Sequence, residues 1–155
     1  IDAIALLKKQ NCTINLNLLG AGAQMKDLEE RISQLGVADS VNLVGPIPHD
    51  SLMNFIHDSD ALILPSYREG VPNVVMESLS TGTPVIVTKV GGIPEVVQEK
   101  TNGVFINALS GEGVKEAILK AKNTEWQSDA IRASISHLTW ANTAQHIQSL
   151  LEIKQ

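Results

Sequence analysis

Apolar and polar positions change period repeatedly along the chain, and the alternation predicts helices interleaved with strands. Ile1-Asp2-Ala3-Ile4-Ala5-Leu6-Leu7 reads as the interior of an amphipathic helix. Ile14 to Leu19 alternates apolar and polar as a strand does, and stops at Gly20. Met25, Leu28, Ile32 and Leu35 form one helical stripe within Gln24 to Leu35, with Gly36 as the stop. Val41 to Val44 is a strand ended by Gly45-Pro46. Asp50 is placed to cap a helix over Ser51 to His57. Ala61 to Leu64 is wholly apolar, the mark of a strand covered on both faces. A helix follows over Pro72 to Ser80, with Pro suiting its first turn and Gly82 its end. Pro84 to Thr88 is another buried strand, Ile93 to Val97 a helical turn, and Val104 to Ile106 a short strand. Helices over Glu112 to Lys122, Glu125 to Ser136 and Ala141 to Ile153 complete the pattern.

Strands separated by helices predict an α/β fold, a Rossmann-like parallel sheet with helices on both faces. Ligands of such sheets bind beyond the carboxyl ends of the strands. The residues there are Gly20-Ala21-Gly22, Gly45-Pro46-Ile47, Pro65 to Asn73, and Val90-Gly91-Gly92. Their glycines would let main chain approach a ligand closely at one edge. A helix already begins at Ile1 with no capping residue before it, so the chain is expected to be one piece of a longer protein.

Composition narrows the choice of ligand. The 155 residues are 43% hydrophobic and 19% charged, which suits one packed domain rather than a disordered chain. Seventeen acidic against twelve basic residues argue against a nucleic-acid partner held by a broad basic face. No apolar run approaches a membrane span, and Ile1 to Gln10 has none of the marks of a signal peptide. The single cysteine, Cys12, allows no internal disulfide and fits a reducing compartment.

The densest chemistry lies in Pro65 to Glu95. The loop from Ser66 to Val71 feeds a helix whose first N–H groups have no partner inside it, a ready site for phosphate. Gly70 leaves room for a bulky anion, and Pro72 lacks an N–H that the helix would not have used. Glu69, just before the helix, would repel phosphate but suits sugar hydroxyls. Glu77 lies one turn after Asn73, off the apolar face of Val75 and Leu79, and leans back toward the helix start. Taken alone, the two acids read better as a solvated surface pair than as a site.

The wider pattern adds to this. Pro65-Ser66, Glu69-Gly70, Pro72-Asn73, Glu77-Ser78, Thr81 to Val85 and Gly91-Gly92-Ile93-Pro94-Glu95 together resemble the signature of glycosyltransferase family 4. These are retaining sugar transferases of the GT-B fold, marked by two glutamates with seven residues between them. The likeness extends to Leu18 to Gly22, Val41 to Pro46, Asp60 to Ser66, Asn102-Gly103 and Thr139-Trp140. It implies that residues 1–155 are the carboxyl-terminal, nucleotide-sugar-binding half, with its first strand and the amino-terminal acceptor half missing. By position, Glu69 would hold hydroxyls of the transferred sugar and be the catalytic residue. Ser66 belongs to the loop that carries it. The main chain of Gly70, Val71, Pro72 and Asn73 would face sugar and diphosphate, and Val74 continues that helix start. Glu77 would hold the ribose hydroxyls, Ile47 would lie against the base, and Gly20 and Gly22 would line the donor cleft.

The reaction so implied moves a glycosyl group from a nucleoside diphosphate to an acceptor hydroxyl, on a glycan or lipid-linked glycan, with retention of configuration. No metal or other cofactor is expected. The expected setting is the cytoplasm, including the inner face of the membrane. The family's two cations, an Arg and a Lys, would precede Ile1, so this chain alone is expected to be inactive. The missing strand would lie between 14–19 and 61–65, leaving inner edges open and the isolated chain marginally stable.

Rival readings are weaker. Gly20-Ala21-Gly22-Ala23-Gln24-Met25 lacks the third glycine of a dinucleotide fingerprint. Asp58-Ser59-Asp60 matches the Asp-x-Asp of metal-dependent transferases but precedes a strand, at the wrong end of the sheet. His49, His57, His137 and His146 are scattered, each read as a surface or corner residue. A nucleotide-sugar binding module without activity and a sugar-nucleotide epimerase of the same fold stay as alternatives. The amphipathic tail after Thr139 suits packing between domains.

Overall fold

The computed structural model describes residues 1–152. Its elements run α1 (Asp2–Lys9), β1 (Leu16–Leu19), α2 (Met25–Leu35), β2 (Val41–Gly45), α3 (His49–His57), β3 (Leu62–Leu64) and α4 (Asn73–Thr81). Then follow β4 (Val85–Thr88), α5 (Ile93–Val96), β5 (Gly103–Ile106), α6 (Gly111–Lys122), α7 (Ser128–Ile135) and α8 (Trp140–Glu152). All pairings are parallel. Ile153, the expected end of the last helix, lies outside the described residues.

The strands separate two cores by simple alternation. On β4, Ile86 enters the core formed by α1, α2 and α6, whereas Val85 and Val87 enter the core formed by α4, α5 and α7. On β5, Val104 and Ile106 take the first side and Phe105 the second. β3 does the same with Ile63 against Leu62 and Leu64. The period of two along each strand thus places helices on both faces, as the apolar runs predict.

The sheet is in two pieces. β1 pairs with β2, and β3–β4–β5 form a separate ladder. The amides of Leu16 and Gly20 donate toward β2, to Ser40 at 2.8 Å and Gly45 at 2.8 Å. Strand alternation therefore turns the main-chain groups of Asn17 and Leu19 to the opposite edge. Leu62 likewise donates to Pro84 on the β4 side, which leaves Ile63 facing outward. This explains one departure from the pattern. Ala61 to Leu64 reads as a strand covered on both faces, yet its residues are only half-buried, because one edge has no neighbour.

Helix starts also differ from expectation, most at α7, which begins at Ser128 rather than Glu125. α3 begins at His49 rather than Ser51, because Pro48 (φ −58°, ψ 146°) turns the chain just before it, and Asp50 falls in the first turn. α4 begins at Asn73, with Pro72 extended (φ −68°, ψ 131°) as the residue before it. No helix among the described residues is long and apolar enough to cross a membrane.

Candidate donor-binding site

α4 is held from below by Val75 and Leu79, both fully buried against β4 and α7. Side chains of that size stabilise by about 1.5–3 kcal/mol each when removed from water. The helix mouth is thereby fixed relative to the carboxyl ends of β3 and β4. No side chain caps that mouth, so its first amides face outward with no acceptor in the helix.

The loop leading into it is braced at three points. The Thr88 hydroxyl, at the end of β4, donates to the Ser66 carbonyl at 2.6 Å. The Ser66 hydroxyl donates to Glu69 Oε1 at 2.7 Å. The Gly92 amide donates to the Gly70 carbonyl at 2.8 Å. Glu69 is thus oriented through one oxygen while its carboxylate keeps further acceptor capacity for hydroxyls. Its side chain is half-buried, whereas Tyr67, Arg68 and Gly70 on the same loop are exposed.

Gly91 and Gly92 have a role the sequence pattern does not reveal. Gly91 is left-handed (φ +55°), and a Cβ there would stand 1.8 Å from the Glu69 carbonyl oxygen. A Cβ at Gly92 would stand 2.6 Å from Val71 Cγ2. The double glycine therefore receives the Glu69 loop. Thr88 is a further bracing residue, and the local sequence carries no signal for it because its partner lies 22 residues away.

Glu77 points along α4 toward α3, with its carboxylate oxygen Oε1 3.9 Å from His49 Nε2. His49 reads from sequence as a scattered surface histidine; packing of α3 on α4 brings it to this acid. Ile47, two residues earlier and half-buried, lies on the same β2–α3 connection. Gly20 and Gly22 follow β1, at the same end of the parallel strands but on the other ladder. Both are exposed, and no hydrogen bond among the described residues joins them to the Glu69 loop. Pro72, Asn73 and Val74 form the helix start itself.

Asp58 and Asp60 lie elsewhere. Asp58 closes α3 and Asp60 stands in the corner before β3, beside a cleft of ≈ 520 Å³ with Thr81, Pro84, Trp126 and Arg132. That cleft is at the amino ends of β3 and β4, opposite Glu69. Among the described residues, no three His, Cys, Asp or Glu side chains gather as metal ligands would.

Comparison with known proteins is consistent along the chain. Residues 1–136 match the family described as glycosyl transferases group 1. A D-inositol 3-phosphate glycosyltransferase of Corynebacterium diphtheriae is 30% identical over 137 residues, which is 84% of this chain and 32% of the relative. The chain spans about a third of the length of these curated relatives. Anabaena HepE in complex with UDP and glucose superposes with a TM-score of 0.80 at 21% identity, over 97% of this chain and 43% of that one. The C-terminal domain of the group 1 protein LpcC from Francisella tularensis gives a TM-score of 0.68 at 18% identity, over 87% of this chain and 74% of that one. At these identities the two structures establish the fold, a Rossmann-like domain of the GT-B type, and the family match establishes the rest: this chain belongs to the glycosyl transferases of group 1.

Proposed function

We propose that the chain is the donor half of a retaining glycosyltransferase, family 4 in kind, which holds a nucleoside-diphosphate sugar at the mouth of α4. The observation that carries the reading is the braced loop. Thr88, Ser66 and the Gly91–Gly92 turn hold one acid on one side of an uncapped helix start, and Glu77 stands a turn further along the helix.

Each part has a task in the transfer. Glu69 accepts hydrogen bonds from the sugar and fixes the anomeric carbon. The amides at the start of α4, with its dipole, meet the diphosphate as negative charge builds there on departure of the sugar. Donors fixed in advance lower the barrier because they need no rearrangement in the transition state. Glu77 accepts the ribose hydroxyls, and Ile47 lies against the base. Gly20 and Gly22 form the opposite lip of the cleft. The acceptor, a glycan or lipid-linked glycan hydroxyl, approaches from a second domain, and no metal takes part. The setting is the cytoplasm or the inner face of its membrane. The UDP and glucose of the HepE structure and the glycosyltransferase names of the relatives support this choice of ligand.

The open inner edges of β1 and β3 support the companion proposal, that a strand from the preceding part of the protein fills the place between them. A cleft of ≈ 340 Å³ between Asn17 of β1 and Asn54, Phe55 and Asp58 of α3 opens beside that edge. The isolated chain, inactive and marginally stable on this reading, should not melt sharply as a soluble monomer; if it does, the vacancy is not a strand site.

The test is calorimetric titration of the complete protein with UDP, GDP and ADP, alongside a transfer assay. Glu77→Ala should weaken the preferred nucleotide by roughly tenfold or more, as expected for hydrogen bonds to a charged group. Glu69→Ala should lower transfer by roughly ten- to a hundredfold with nucleotide affinity almost unchanged. Normal transfer by Glu69→Ala refutes its role.

A further inference from the structure

We infer that His49 is a second recognition residue for the nucleoside, closing with Glu77 on two neighbouring hydroxyls of its ribose. The inference rests on the donor-half reading and assigns a residue that reading does not use.

The geometry begins with α3. His49 is its first residue, set by the turn at Pro48. α3 is locked to the far end of α4 by the Thr83 hydroxyl, which donates to the Ile56 carbonyl at 3.1 Å. The spacing between the two helix faces is thus fixed by packing, not by the long side chains alone. Across it, His49 Nε2 and Glu77 Oε1 stand 3.9 Å apart, with the His49 side chain 71% exposed and that of Glu77 22%. The acid is sheltered and the imidazole overhangs it from the solvent side.

At 3.9 Å the two groups are beyond direct hydrogen-bond range. Neither side chain hydrogen-bonds another among the described residues, so both keep their polar atoms for a third party. Glu77 can only accept, and Nε2 donates whenever it carries the proton. A vicinal diol satisfies both at once: one hydroxyl donates to the carboxylate, and its neighbour accepts from the imidazole. A phosphate does not fit, because Glu77 repels it. A single hydroxyl bridges them too, donating to the carboxylate and accepting from the imidazole, so it is the 2′-deoxy and 3′-deoxy nucleotides that tell one ribose hydroxyl from two. The ligand class is a ribonucleotide in preference to its deoxy counterpart. Ile47, two residues before His49, places apolar surface next to that ribose, where a base would lie.

The experiment uses the complete protein and whichever of UDP, GDP and ADP it binds, with the 2′-deoxy and 3′-deoxy forms of that nucleotide. Four proteins are titrated by calorimetry: the parent, His49→Ala, His49→Gln and Glu77→Ala. His49→Ala should weaken the ribonucleotide about three- to tenfold, the range of one net hydrogen bond. One deoxy form, lacking the hydroxyl that His49 holds, should bind the parent and His49→Ala equally. His49→Gln, whose amide N–H₂ reaches a similar point, should regain most of the discrimination. Equal losses for all three nucleotides in His49→Ala, or no loss, overturn the diol clamp. If Glu77→Ala leaves all nucleotide binding intact, the donor-half reading fails instead. An effect of Glu77→Ala without the His49 pattern refutes the clamp alone.

Discussion

After β1, a Cβ built on Gly20 or Gly22 meets nothing within 4 Å; after β4, one on Gly91 would stand 1.8 Å from the Glu69 carbonyl oxygen. Both pairs follow parallel strands at the same end of the molecule, and a pattern of strand followed by glycines describes them equally well. What differs is the object that comes close. At β4 it is the protein's own main chain, since Gly70 and Gly92 are hydrogen-bonded at 2.8 Å. At β1 the space is empty, and Gly20 is tied only sideways, to Gly45 at 2.8 Å. A glycine-rich strand end therefore says that a backbone must be approached, and only the packing says by what. The second pair builds the acid's platform, whereas at the first the space stays open.

The largest effect that tests this contrast belongs to Gly91→Ala. The new methyl must displace the Glu69 main chain, and the residue is left-handed at φ +55°. Overpacking and backbone strain together should destabilise by roughly 2–4 kcal/mol, read as a lower urea midpoint with unchanged slope. Transfer by the complete protein should fall by about a hundredfold, as a misplacement near 1 Å does. A variant with parent stability and parent activity would show that the platform is not needed.

The contrast also separates what could be read along the chain from what could not. The apolar run Val85-Ile86-Val87 and the stop at Gly82 announce β4 and α4, because burial on both faces and a helix end are written in adjacent residues. Glu69 and Glu77 are legible as candidates for a similar reason: their spacing about a single helix start is local. Thr88 was not visible, since its bond to Ser66 spans 22 residues and depends on how β4 lies beside β3. His49 was hidden in the same way, for only the packing of α3 on α4 brings it to Glu77. The break between β1 and β3 escapes the periodicity altogether. Hydrophobic pattern reports which faces want covering, and Ala61 to Leu64 asks for a central place that the described chain half supplies.

Gly20→Ala tests the open side with a smaller effect. Its φ of +123° lies outside the range side chains adopt comfortably, although nothing crowds the methyl. The cost should be about 1–2 kcal/mol of local strain at the end of β1, seen in the same urea titration. It should leave Glu69 undisturbed, because the two lie on different ladders. A loss as large as that of Gly91→Ala would mean that the β1 loop is a packed platform too, and the comparison would fail.

Gly22→Ala should move stability least and is the sharpest discriminator. Gly22 is exposed, has no left-handed backbone, and a Cβ there meets nothing within 4 Å. Folding stability should stay within about 0.5 kcal/mol of the parent, as for ordinary surface changes. If the open space belongs to the donor, the methyl protrudes into it. Nucleotide-sugar affinity of the complete protein should then fall by about three- to tenfold, a loss of the order of one contact. The expected signature is a change in binding with none in melting, whereas Gly91→Ala changes both. A Gly22→Ala protein with unaltered donor affinity would leave the β1 glycines facing solvent alone, and the donor cleft would need a different second lip.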